Sequence, residues 1–157
     1  MSDQRIDFYI VQGDTPEACD RVVCQLADKA WSSGVRLFIR ATDRQQATRL
    51  DELLWTFRQS SFLPHALLDA QGPEEAAGEP ILLGQADAMA PDQRGMLINL
   101  APRQANDLQA DLQSFPRIAE VACRRPDLLE AARERFRHYR DQGRKPKTHN
   151  VAAAPGE

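Results

Sequence analysis

The residues best spaced for chemistry are four arginines. Arg133, Arg137, Arg140 and Arg144 recur at intervals of four, three and four residues, the rhythm of one edge of a helix. Leu129, Ala132, Phe136 and Tyr139 form an apolar stripe beside them. Guanidinium forks match carboxylates and phosphates bidentately, and Phe136 adds an apolar contact. The ligand that suits this edge combines negative charge with a hydrophobic end. Three readings fit: a single-stranded nucleic acid, an acidic peptide with an apolar terminus, and a solvated charged face interrupted by Glu134 and Asp141.

Trp55 raises a second question. In LDELLWTFRQSSFLPHAL, Leu50 to Leu67, the positions Ala47, Leu50, Leu53, Leu54 and Phe57 gather on one helical face. At about 100° per residue, Trp55 falls roughly 150° from the centre of that face. Phe62 follows, then a Pro64–His65 pair that restricts Leu63 to an extended form. Trp55 and Phe62 are either covered by their own chain, with His65 bonded to the loop, or offered as aromatic anchors to a partner.

Catalytic patterns are absent from the sequence. The first strand–helix joint, VQGDTPEA, holds a single glycine, Gly13. It matches neither the phosphate-cradling G-x-x-x-x-G-K-[ST] nor the dinucleotide G-x-G-x-x-G. The chain also lacks a G-x-S-x-G elbow. His65, His138 and His149 are far apart and fall in no metal-ligand spacing, and Asp51 and Glu52 are helix neighbours pointing apart. Asp7, Asp14 and Asp43 lie near strand ends, where sheet ligands bind, although Asp7 is at the opposite end of its strand. Cys19, Cys24 and Cys123 form no CxxC or disulfide framework and read as buried apolar residues in a reducing compartment. No cofactor, metal or small-molecule substrate is expected.

The chain has 157 residues, and its net charge of −3 hides an asymmetry. Arg133 to Lys147 carries seven basic residues against two acids, a net +5, which leaves −8 on the rest. Such a patch attracts an anionic partner selectively. No apolar run approaches bilayer length and the N-terminus has no signal pattern, so a cytoplasmic protein without membrane contact is expected.

These residues need a frame. Ile6–Val11 reads as a buried strand, followed by a helix capped by Thr15, opened by Pro16 and stopped at Gly34. Val35–Arg40 is the second strand, and Thr42 with Gln45 gives a capping-box signal for a helix running to about Phe57. Strands are expected at Pro80–Gly84, Gly95–Leu100 and Arg117–Cys123. A surface loop is expected over Ala70–Pro80 and a short helix around Leu108 and Leu112. The last helix runs from Pro126 to Gln142, with Gly143 as its stop. Alternating strands and helices with short joints predict an α/β fold, a mostly parallel sheet with helices on both faces. Residues 1–143 form one domain, and 144–157, without periodicity, are expected to be a disordered tail.

FYIV, LDELLW, SFLPHAL and ARERFRHYR, in this order and near this spacing, resemble the chi subunit of bacterial DNA polymerase III holoenzyme. The resemblance spans Asp7 to Gly143 and implies a three-layer Rossmann-like domain without catalytic activity. It implies pairing with the psi subunit and a grip on the acidic, phenylalanine-ended tail of single-stranded DNA-binding protein, so that DNA is reached mainly indirectly. The basic and aromatic residues that contact the tail match Arg133, Phe136 and Arg137, and Arg140 continues the row. Trp55 and Phe62 match the aromatic pair linked to docking of psi or of a competing helicase, with Pro64 and His65 in the same surface. No residue between Glu120 and Arg133 is carried over.

Overall fold

A computed structural model describes residues 4–56, 63–67, 79–84, 95–100 and 115–152. Seven strands form one sheet: β1 Arg5–Gln12, β2 Leu37–Arg40, β3 His65–Leu67, β4 Ile81–Gly84, β5 Met96–Asn99, β6 Arg117–Ala122 and β7 Lys147–Ala152. Their order is β3-β4-β2-β5-β6-β1-β7, and all six pairings are parallel. Three α-helices are described: α1 Asp20–Ser32, α2 Arg44–Thr56 and α3 Pro126–Asp141. Helices α1 and α2 cover one face and α3 the other, giving the three-layer, Rossmann-like arrangement. The loop expected over Ala70–Pro80, apart from Glu79 and Pro80, and the helix expected near Leu108 lie outside the described residues.

Strand alternation sorts the core. Leu37, Ile39, Leu83, Ile98 and Val121 meet Val22, Val23, Ala27, Leu50 and Leu54 of α1 and α2. Phe8, Phe38, Leu82, Leu97 and Ile118 face the other way, toward Ala132 and Tyr139 of α3. Each fully buried side chain of this size contributes about 1.5–3 kcal/mol, so the two apolar layers fix which helix lies on which face.

Local chemistry sets the helix ends. Gly34 and Gly143 take left-handed φ angles of 76° and 83° just past α1 and α3, a conformation in which a Cβ is strained. Pro16 opens a 3-10 turn, Pro16–Cys19, before α1 begins, and Thr15 makes no side-chain cap. The cap of α2 differs from the expected one by a residue. Asp43 Oδ1 accepts from the Gln46 N–H at 2.9 Å, and Gln46 Oε1 accepts from the Thr42 N–H at 2.7 Å. Asp43 is therefore the cap, and Thr42 is the residue its partner reaches back to.

Two strands were hidden from the sequence pattern. β3 is three residues long, too short for alternation to register. β7 corrects the expectation of a disordered tail for Lys147–Ala152, which pairs with β1 from Asp7↔Lys147 to Gln12↔Ala152. Its sequence, KTHNVA, is mostly polar because the strand is a half-exposed edge. The run IDFYIV in β1, apolar on both faces, marks a strand covered on both faces but carries no sign of the backbone pairing with β7.

Candidate protein-docking surfaces

The arginine row is positioned from beneath. Glu120 of β6 is completely buried, and its Oε1 accepts from Arg135 Nε at 2.7 Å and Asn99 Nδ2 at 2.9 Å. Its Oε2 accepts from the Tyr139 hydroxyl at 2.8 Å. A buried carboxylate is tolerated only with such partners, so one acid ties two turns of α3 to the sheet. Arg135 thereby leaves the set of surface cations, and the helix presents Arg133, Arg137 and Arg140 outward. Glu120 escaped the sequence reading, although a lone acid on the apolar side of RIAEVAC signals a buried partner.

Above this anchor lies a cleft of about 310 Å³ between α3, β1 and β7. Phe8 and Ile10 form its floor, Leu129 and Phe136 one wall, and Thr148 and Asn150 of β7 the other. The Phe136 ring meets Phe8 edge-on at 5.3 Å. Arg124, Arg133 and Arg137 stand around it. Glu130 lies 3.9 Å from Arg133 Nη1 and 3.6 Å from Arg137 Nη2, with both arginines more than half exposed. Such exposed pairs contribute little to stability but hold the two forks side by side. The cleft thus joins Arg133, Phe136 and Arg137, as the spacing predicts, and adds Arg124, Thr148 and Asn150. Arg140 lies outside it, exposed on the last turn of α3. An apolar trough ringed by cations can hold an anion that ends in an apolar group.

The second surface is at the other edge of the sheet. Trp55, on the last turn of α2, is 46% exposed, the only exposed large hydrophobic among the described residues. Its ring lies 4.5 Å from that of His65, tilted by 53°. His65 is itself buried: Nε2 is 2.9 Å from both the carbonyl oxygen and Oδ1 of Asp51, and Nδ1 contacts the Leu63 carbonyl. His65 therefore supports the indole from below, whereas it was expected on the surface itself. Pro64 is half-buried beside it. Phe62 lies outside the described residues.

Sequence comparison then decides the family. A family model described as DNA polymerase III chi subunit, HolC, matches residues 3–147. The chain belongs to the chi family. It is 38% identical over 141 residues to the DNA polymerase III subunit chi of Pseudomonas aeruginosa, covering 88% of this chain and 91% of the relative. Against the subunit chi of Escherichia coli the identity is 33% over 140 residues, covering 87% and 90%. Among solved structures, T4 UvsW superposes with a TM-score of 0.69 at 10% identity, over 94% of this chain and 42% of that one. Domain 2 of the DEAD-box helicase Mss116p, bound to an RNA duplex, gives 0.64 at 11% identity, over 96% and 65%. At such identities these two likenesses establish the fold alone. No described helix is long and apolar enough to cross a membrane.

Proposed function

We propose that this chi-family chain is a non-catalytic adaptor of the replicative polymerase. The α3 cleft takes the acidic C-terminal tail of single-stranded DNA-binding protein, and the Trp55 surface, with Phe62, docks the psi subunit. The observation that carries the first half is the cleft itself: three arginines around an apolar trough floored by Phe8 and Ile10. A carboxylate-rich tail ending in phenylalanine fits both chemistries, whereas nucleic acid uses only the charge and a stacking face.

Calorimetric titration with a short acidic peptide ending in Pro-Phe tests the tail contact. Burying the terminal ring contributes about 1.5–3 kcal/mol, so deleting it weakens binding roughly ten- to hundredfold. Arg137→Glu reverses one fork and removes tail binding while the thermal melt and psi binding are retained. Equal affinity for the peptide with and without its phenylalanine, beside tight binding of a bare oligonucleotide, would replace this reading with direct nucleic-acid binding through the same row.

A further inference from the structure

A second cationic site lies at the opposite end of the strands, on the α1 face. Arg5 and Arg117 are register partners on the adjacent strands β1 and β6, which places two like charges roughly 4.8 Å apart at the backbone. Like charges side by side on neighbouring strands are destabilising. The last turn of α1 brings Lys29 and Ser33 against them, and the four residues rim a cleft of about 140 Å³. Asp7, the only acid in its lining, is buried and already engaged: Arg5 Nε and His149 Nε2 each lie 2.9 Å from its oxygens. Lys29 and Arg117 form no salt bridge among the described residues.

The end of α1 complements only Lys29, which lies on its last turn, whereas Arg5 and Arg117 stand on strands. The carbonyls of Lys29, Ala30 and Trp31 accept from the N–H groups of Ser33, Val35 and Gly34 at 2.9–3.1 Å. The negative helix terminus is thus closed by its own turn. Composition does not force the cluster either, because the whole chain carries −3. Asp7 holds Arg5, which leaves Lys29 and Arg117 beside it without an ion pair among the described residues, in a concave, half-polar site that a bound anion stabilises.

We propose that Arg5, Lys29 and Arg117, with the Ser33 hydroxyl, bind a phosphate monoester at a site independent of the α3 cleft. A carboxylate is planar, singly charged and satisfied by one guanidinium fork. Arg5, Lys29, Ser33 and Arg117 all line one small cleft, and even with Arg5 Nε given to Asp7 they supply the donors and charge that match the three oxygens and double charge of a monoester. The group can arrive as free phosphate or on a mononucleotide, and the apolar side of the cleft, Leu26 and Met96, offers the latter a further contact.

The test is a titration of the full chain at constant ionic strength, read by Tm and by backbone amide NMR shifts. Its arms are inorganic phosphate, a 5′-deoxymononucleotide and the corresponding nucleoside. Phosphate and the nucleotide are expected to raise Tm with saturation and to shift amides at Arg5, Lys29 to Gly34 and Arg117, while the nucleoside does neither. Tighter binding of the nucleotide than of phosphate assigns the source as a nucleotide, and equal affinity assigns it as phosphate alone. Arg117→Gln and Lys29→Gln each weaken binding at least about tenfold. In chloride, Arg117→Gln melts no lower than the parent, because it relieves the Arg5–Arg117 repulsion. Arg133→Glu/Arg137→Glu retains the full phosphate response. An unsaturating rise shared by Arg117→Gln overturns the site as a general salt effect. Loss of the response in Arg133→Glu/Arg137→Glu overturns it by placing phosphate in the α3 cleft.

Discussion

Replacing Glu120 by alanine tests whether one buried acid holds the arginine helix in place. The substitution leaves the Arg135 guanidinium, 2% exposed, without its carboxylate, and strips acceptors from Tyr139 and Asn99. Breaking a buried pair from one side costs about 3–5 kcal/mol, a large share of the roughly 5–15 kcal/mol that holds a domain together. At about 2–4 °C per kcal/mol for a chain of this size, the melting temperature should fall by roughly 6–20 °C. Urea denaturation supplies the free energy directly. The double variant Glu120→Leu/Arg135→Met removes both charges and refills the space, so it should recover more than half of the loss. Tyr139 and Asn99 still lose their bonds to Glu120 there, which prevents full recovery. A loss below about 1 kcal/mol for Glu120→Ala would mean that the pair is solvated, and α3 would then owe its seat to Phe136 and Tyr139 packing alone.

Further outcomes follow from charge and register. Burial pushes the thiols of Cys19 and Cys24 up to about 12, against about 8.5 in an unfolded chain. Above that lower value the unfolded chain loses protons that the native state keeps, so stability falls as pH rises, by up to about 1.4 kcal/mol per pH unit for each thiol. Chemical denaturation between pH 8.5 and 10.5 should show a shallower decline in Cys24→Ala. Glu130 competes with an acidic ligand for Arg133 and Arg137, so Glu130→Gln should tighten peptide binding roughly two- to fivefold by titration, the equivalent of an exposed ion pair. Truncation after Gly143 removes β7 and one wall of the cleft. It should cost at least about 2 kcal/mol in denaturant, since several ladder hydrogen bonds contribute roughly 0.5–1.5 kcal/mol each, and peptide affinity should fall with it.

What the sequence disclosed depended on periodicity. α3 announced itself through Leu129, Ala132, Phe136 and Tyr139, and the neighbouring spacing of Arg133 and Arg137 placed both at the cleft. Trp55 was legible for the same reason, because a helix exposes what lies opposite its apolar stripe. Features built from non-local partners were not legible. Arg135 looks like its neighbours in sequence, and only Glu120, fifteen residues away, removes it from the surface. Arg140 keeps the helical rhythm, yet the cleft ends before its turn. Lys147–Ala152 has no apolar period, so its pairing with β1 depends on a strand at the other end of the chain. His65 is a lone polar residue in the apolar run FLPHAL, and its burial depends on Trp55 and Asp51 closing around it.

The placement of the two surfaces bears on how an adaptor would work. Trp55 stands over β3, one edge of the sheet, and the α3 cleft is walled by β7, the other. Six strand spacings separate these edges, roughly 29 Å at about 4.8 Å each, and α2 and α3 cover opposite faces. Partners seated at the two surfaces share no side chain and meet no common wall, so neither blocks the other by contact. Coupling between them would have to pass through the central strands β4, β2 and β5, whose residues are all buried. Packed interiors of this kind resist continuous deformation. Independent binding is the expected consequence: tail affinity measured with and without a partner on the Trp55 surface should agree within error. Any gain from having both partners bound then comes from effective concentration on a template that displays many tails, which requires rigid separation and no allosteric change.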